Sequence, residues 1–445
     1  LKNHFVGAAV LVVVGIVVRL LVFMIDMPFT WDVHTFQAWA NMLYVDGFAQ
    51  FYYSDAFTDY PPAYMYVLFV IGAIRSALDW GFLSPQLNLL TFSPAIISDI
   101  ITGLAIYFIS KDLFHEEYIF GKAFFVSMAY LLNPAVLINS SLWGQVDAVY
   151  TLLLFLALYA VYKKQILPVY MLYGLAVLTK PQSLMLAPIF LYSVFHYSKA
   201  RNFTAKSILT VFGYGVGTFA FMALISLPFG IDLVIEQFFT TIGSRPFNSI
   251  SAYNFPAMTG GTWQGITPFY TLITSITIVG VTLFTFWILY KRWAVSTIFA
   301  TASLLFGAVF VFSTNMNERY MFPAVLFLLV AAIFDKSEDF QQTPQVQETP
   351  AELATVSQGI SKPSKWYILY FAFSFTIFIN CFDILLANNG YNLTVPFVIR
   401  EAPPGLFRPI DEFVALIGFI NVCLAIFLIR TSYFTAIKVE TGAKK

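Results

Sequence analysis

The run Ala63-Tyr64-Met65-Tyr66-Val67-Leu68-Phe69-Val70-Ile71-Gly72-Ala73-Ile74-Arg75-Ser76-Ala77-Leu78-Asp79, entered through Pro61-Pro62, decides how the rest of the chain threads. Its length of about 17 residues is marginal for a hydrocarbon core of about 30 Å, and it carries Arg75 and Asp79. Counted as a crossing, it places the loop at Lys111 outside and inverts every later loop. Counted as a helix lying at, or re-entering, the outer interface, it puts all the basic loops on one side. These are Lys111 and Lys122, Lys163-Lys164, Lys199 to Lys206, Lys291-Arg292, Lys336 with Lys362 and Lys365, and Lys438 to Lys445. Cytoplasmic loops carry the excess of Lys and Arg, so the second reading is adopted, with both termini inside.

The chain of 445 residues is 59% hydrophobic and only 11% charged, with a mean hydropathy of +0.76. Soluble proteins carry about 25% charged residues, so the expected class is an all-α polytopic membrane protein. Apolar segments fall at 5–25, 88–110, 121–137, 147–162, 167–178, 181–197, 205–228, 267–290, 294–313, 318–334, 365–387 and 411–430, giving about 12 transmembrane helices. Residues 5–25 are too long and apolar for a signal peptide and are kept as a span. The net charge of zero gives no case for nucleic acid. Cys381 and Cys423 lie in apolar spans and read as small hydrophobes. Residues 336–364 are rich in Gln, Thr, Glu and Pro and read as a disordered cytoplasmic linker between a module over 1–335 and a two-helix segment over 365–445.

The outer face then receives 26–87, 138–146, the Thr179-Lys180-Pro181 turn, 229–266, Asn315 to Arg319 and 388–410, and with them every polar motif. In the first loop, Asp32 follows the first span, within Trp31-Asp32-Val33-His34. A carboxylate there suits a general base, with His34 as a hydrogen-bond partner, or it only solvates a loop. Asp59-Tyr60-Pro61-Pro62 closes the loop. Its prolines fix the backbone and start the next helix, which holds Asp59 and Tyr60 in one place; Asp59 either binds an acceptor, with Tyr60 beside it, or steadies Asp32, and simple helix initiation is the competing reading. Asn133-Pro134 and Trp143-Gly144-Gln145-Val146-Asp147 make an unusually polar end to an apolar hairpin. Gln145 and Asp147 can hydrogen-bond sugar hydroxyls, and Trp143 offers a stacking face or an interfacial anchor. Lys180 sits in a break between two short apolar segments, tolerated only where it lines protein or water. Lys180, Arg319 and Arg245 are candidate ligands of a phosphate. Arg319 follows Glu318, and an internal ion pair is the competing reading. Asp99 in mid-span and Arg19 near a span end serve either function or helix packing. The chain has no Walker-type loop and no metal-spaced His/Cys set, so no cofactor is expected; a divalent metal is permitted but not indicated.

In this order the motifs, ending in Asn317-Glu318-Arg319-Tyr320-Met321-Phe322-Pro323, resemble the GT-C superfamily of membrane glycosyltransferases over about residues 15–335. Within it they are most similar to prokaryotic mannosyltransferases related to the second GPI mannosyltransferase. The Asp-Tyr-Pro-Pro element is also similar to dolichyl-phosphate-glucose-dependent glucosyltransferases. The resemblance implies a GT-C-like module that transfers a monosaccharide, mannose or another hexose, from a polyprenyl-phosphate carrier, with inversion. It implies Asp32 as the catalytic base and Lys180 and Arg319 near the donor phosphate. The acceptor would be a lipid, glycan or protein, and the setting a bacterial plasma membrane with the site outside. The rival readings are a transporter or flippase of a lipid-linked saccharide, a polysaccharide polymerase or ligase, and a non-catalytic relative.

Overall fold

A computed structural model describes residues 2–53, 56–115, 118–197, 204–243, 246–342, 364–389 and 412–442. The chain is an all-α, multi-pass integral membrane protein. Among the described residues, seven helices are long and apolar enough to cross a bilayer: α1 (Lys2–Phe23), α4 (Pro85–Phe114), α10 (Ala205–Ser226), α13 (Pro268–Lys291), α14 (Val295–Phe312), α16 (Lys365–Asn388) and α17 (Glu412–Gly442). A bent pair, α5 (Lys122–Leu131) followed by α6 (Pro134–Leu137), makes an eighth if it acts as one span. Shorter apolar helices are α3 (Pro62–Ala77), α7 (Asp147–Tyr162), α8 (Ile166–Thr179) and the first part of α15 (Phe322–Gln342). The remaining helices are α2 (Thr30–Val45), α9 (Ala187–Tyr197), α11 (Ile231–Gly243) and the short α12 (Phe255–Met258). The helix begun at Phe322 runs on to Gln342, past the point where the sequence reads as a linker; 343–363 lies outside the described residues.

Local signals set the helix starts. Ser84 caps α4 by accepting from the Leu87 amide at 3.4 Å, with Pro85 at the first helical position. Pro94 within α4 cannot donate to the Leu90 carbonyl, and the Ser93 hydroxyl donates to it instead at 2.7 Å. The central helix is α14, buried along almost its whole length against α13, α15 and α17. Such a helix is hydrophobic all round, as its sequence is. The spans α1, α10 and α13 lie at the periphery and leave most of their surface to lipid.

The segment after the first span is folded around its own aromatic core. Phe36, Trp39, Ala40 and Leu43 of α2 pack on Tyr64, Met65, Leu68 and Ile71 of α3, joined by Phe51 and Phe229. Gly72 permits this approach: a Cβ there would stand 2.1 Å from the Ala40 carbonyl oxygen. At 16 residues, α3 is about 24 Å long, short of a hydrocarbon core of about 30 Å.

The last two spans are built into the bundle. Asn133 donates from Nδ2 to the Tyr370 and Ser374 hydroxyls on α16, at 2.8 and 2.7 Å. Asn380 of α16 accepts from the Tyr253 amide and donates to the Ser251 carbonyl, both at 2.9 Å. Asn421 of α17 donates to the Tyr253 carbonyl at 2.7 Å. The segment around Tyr253 is in turn tied to the loop before α15, where the Ile250 amide donates to the Met316 carbonyl at 3.2 Å.

Near Asn133, Arg19 of α1 and Asp99 of α4 form a fully buried ion pair at 3.1 Å, and Tyr130 donates to the same carboxylate at 2.9 Å. The pair has a structural place, as one of the two sequence readings has it. Removing one partner strands the other charge. Arg19→Leu should therefore cost roughly 3–5 kcal/mol in thermal or denaturant unfolding in detergent. The double variant Arg19→Leu/Asp99→Leu should recover most of that loss. A double variant no more stable than the single one would refute the pairing.

Candidate functional site

Helix geometry brings the sequence motifs together. Asp32 stands in the first turn of α2, where the helix dipole favours a carboxylate. Its Oδ2 accepts from the Trp143 indole at 2.9 Å and from the Gln145 amide at 2.5 Å. Arg319 Nη2 lies 3.6 Å from the same oxygen. Asp147 opens α7, buried, and likewise takes the favourable end of a helix dipole. It pairs with the Lys180 ammonium, accepts from Asn139 at 3.1 Å and faces Arg319 Nε at 3.5 Å. Arg319 also pairs with its neighbour Glu318 and lies over the Trp143 ring, 5.1 Å from its centroid. Asp32, Trp143, Gln145, Asp147, Lys180 and Arg319 thus form one connected network.

The polypeptide reaches this arrangement through irregular backbone. A π-helical turn, Ile138–Leu142, carries the chain into Trp143. Gly144 then takes φ +72°, and a Cβ there would lie 2.1 Å from Phe92. Lys180 sits where α8 ends and a 3₁₀ turn, Pro181–Leu186, begins. It is only 2% exposed, with its ammonium 5.2 to 5.9 Å from the ring centroids of Tyr320, Tyr150 and Tyr60. The stretch before Pro61 is held by Trp39, which donates to the Phe57 carbonyl at 2.8 Å, and by Tyr52, which donates to the Tyr60 carbonyl at 2.7 Å. Burial pushes the Tyr60 phenol well above its ordinary range, so its hydroxyl stays protonated.

A cavity of about 520 Å³ opens beside this network. Its lining is mixed, with Asp59, Tyr60, Lys180, Asn315 and Tyr320 among the polar residues and Leu184, Met185, Ile278, Val281, Leu305 and Val309 among the apolar ones. A second, small cavity of about 40 Å³ shares Asp59, Tyr60 and Tyr320 with it and adds Trp31, Asp32, Trp39 and Arg319. The larger volume is that of a small-molecule site, and the mixed lining suits an amphiphile.

Not every expected residue belongs here. His34 is exposed and rests near the Phe82 ring, 5.7 Å between centroids, rather than on Asp32. Residues two apart on a helix point to opposite sides, and α2 is a helix through both positions. Arg245 lies outside the described residues. Lys180 stands within ion-pair distance of Asp147, and Arg319 of Glu318, Asp32 and Asp147. Asn133 serves as a helix cap and a tie to α16. Tyr150 was missed by sequence reading; its signal is its place one turn after Asp147, on the same helix face. Among the described residues no group of three His, Cys, Asp or Glu side chains could hold a metal ion.

Residues 27–244 match the family model of GPI transamidase subunit PIG-U. The match covers just under half of the chain and includes Asp32, Asp59, Tyr60, Trp143, Gln145, Asp147 and Lys180. No curated protein matches the chain. The similarity is to a GPI-related membrane protein family, and it corrects the functional reading of the sequence. The stretch expected to carry sugar transfer from a polyprenyl phosphate, or flipping of a lipid-linked saccharide, is similar to a transamidase subunit instead. Asp32 is held through one oxygen, Oδ2, by Trp143, Gln145 and Arg319.

Two substitutions test this construction. Asp147→Asn removes the acid from a buried lysine and should lower unfolding stability by roughly 3 kcal/mol or more. Gly144→Ala meets both a left-handed backbone and Phe92, and should cost about 2 kcal/mol, of which Gly144→Ala/Phe92→Leu regains only the packing part. Thermal unfolding in detergent reads both. A neutral Asp147→Asn would show that Lys180 does not depend on that acid.

Proposed function

We propose that the chain is a membrane subunit that holds a GPI-type glycolipid for a partner enzyme of the transamidase kind, and does not itself transfer a sugar. The observation that carries this reading is the cavity of about 520 Å³, lined by both polar and apolar residues, that abuts the ion-pair network of Lys180 and Arg319 with Asp32, Asp147 and Glu318. A bilayer lipid can lay its tail against Leu184, Met185, Ile278 and Val281 and present its head to Tyr60, Asn315 and Tyr320. The similarity of residues 27–244 to a GPI transamidase subunit supports both the lipid class and the role as one member of a complex. The polyprenyl-phosphate donor has no place in it, and the bacterial plasma membrane, expected only from the glycosyltransferase resemblance, loses its basis with that resemblance.

A photoreactive amino acid at Leu184 tests the reading. Purified protein in mixed micelles should form an adduct with a GPI-type glycolipid on irradiation. Excess unlabelled glycolipid should abolish the adduct, and equal phosphatidylcholine should leave it. No adduct, or displacement by phosphatidylcholine alike, would sink the proposal. In the same preparation, polyprenyl-phosphate sugars should release no polyprenyl phosphate with either wild type or Asp32→Ala.

A further inference from the structure

One end of the bundle lies away from Asp32 and Arg319. There α13 finishes, α16 begins, and α15 and α17 pass through. Arg292 Nη1 donates to the Thr435 carbonyl at 3.4 Å, and the Ser364 hydroxyl donates to the Asp335 carboxylate at 2.9 Å. Helix α14, 18 residues and about 27 Å long, runs from this end to Ser313 and Asn315 at the larger cavity. That length is close to a hydrocarbon core of about 30 Å, so the two ends meet opposite leaflets.

A cavity of about 360 Å³ opens at this end, and Lys365, Phe427, Arg430, Thr431 and Phe434 line it. The last four recur at three- and four-residue spacing, which puts them on one face of α17. Lys365 and Arg430 are exposed, and the Arg430 guanidinium lies 5.6 Å from the Phe434 ring centroid. Lys365 opens the 24-residue helix α16, whose positive dipole end favours an anion. A separate observation points to a ligand at the same place. Thr431 is 5% exposed, and its hydroxyl has no hydrogen-bond partner among the described residues. Buried polar groups are nearly always satisfied. A helical threonine can bond to the carbonyl one turn back, as Thr435 does to Thr431 at 2.8 Å. The Thr431 hydroxyl is left as a donor in the wall of a cavity that two cations also line.

Two cations, a hydroxyl donor and a helix N-terminus at the edge of the hydrocarbon suit the oxygens of a phosphate. Arginine meets them with a planar fork and lysine with a point charge. The exposed side chains of Ile368, Phe371, Ile426 and Phe434 offer acyl chains an apolar surface on the same two helices. Basic pockets between membrane helices are suited to anionic headgroups. We infer that this cavity holds an anionic phospholipid by its phosphate, in the leaflet opposite the larger cavity, with Lys365, Arg430 and Thr431 as its ligands. The inference goes beyond the glycolipid-holding reading and does not depend on it.

The full chain is reconstituted in nanodiscs with equal phosphatidylglycerol and phosphatidylcholine of identical acyl chains, and retained lipid is read by native mass spectrometry. Phosphatidylglycerol should be retained on the order of tenfold over phosphatidylcholine, as two basic residues beside a charged headgroup supply. Lys365→Gln/Arg430→Gln should erase the preference, each single substitution should lose part of it, and Thr431→Val should weaken it about threefold. Lys163→Gln should leave it unchanged. That lysine is exposed at the same end of the bundle, where its neighbour Tyr162 meets Phe334 at 5.4 Å between ring centroids. A melting curve on each variant verifies folding. Glycerol phosphate in excess, at ionic strength matched with chloride, should not displace the lipid; displacement would show a site for soluble phosphate and overturn the inference. So would a wild type that retains both lipids alike, or a preference unchanged in folded Lys365→Gln and Arg430→Gln. An equal loss in Lys163→Gln would also overturn it, by making the attraction a property of the whole basic face.

Discussion

A lysine that is 2% exposed keeps its charge only if an acid is buried with it, and the Lys180–Asp147 pair is the constraint from which the site is built. Two unit charges about 4 Å apart attract by about 4 kcal/mol at an effective dielectric near 20. That is of the order of the several kcal/mol that each ion loses on leaving water. Neither charge is tolerable there alone. The break after α8 delivers the ammonium, and the first turn of α7 delivers the carboxylate. Arg319 brings a further cation, and Glu318 and Asp32 answer it. Trp143 then has two duties, donating to Asp32 from its edge and lying under Arg319 with its face.

The aromatic core of α2 and α3 serves this network from above. It fixes the first turn of α2, and so Asp32, against a hairpin more than a hundred residues later in the chain. It also fixes Tyr60 and Asp59 at the mouth of the cavity through the hydrogen bonds of Trp39 and Tyr52. The apolar side of that cavity comes from other elements, α13, α14 and the Pro181–Leu186 turn. The polar and the apolar residues of the lining are therefore supplied largely by different elements.

Much of this was legible in the sequence. Low charge and repeated apolar segments give the fold class, and an acid or lysine that interrupts such a segment announces a buried network. Asp32, Trp143, Gln145, Asp147, Lys180 and Arg319 could be grouped because basic-loop bias puts their stretches on one side. What the sequence does not carry is pairing. A lone Lys180 reads as a cation awaiting an anion; only the fold shows Asp147 against it. His34 misled for a related reason, since nearness in sequence is not nearness in space once 30–45 is helical. The Gly144–Phe92 contact joins residues far apart and leaves no local sign beyond the glycine itself.

The ties from Asn133, Ser251 and Tyr253 to α16 and α17 have a consequence for biogenesis. Membrane insertion proceeds from the N-terminal spans onward. Lys180 and Asp147 are both in the bilayer before Arg319 has been made, and the segment carrying Tyr253 waits longer still for Asn380 and Asn421. A nascent chain thus passes through a stage in which Asp32, Asp147 and Lys180 are made and Glu318 and Arg319, which arrive together, are not. The cavity itself is a late product, because α13, α14 and Tyr320, which line it, are made long after Lys180.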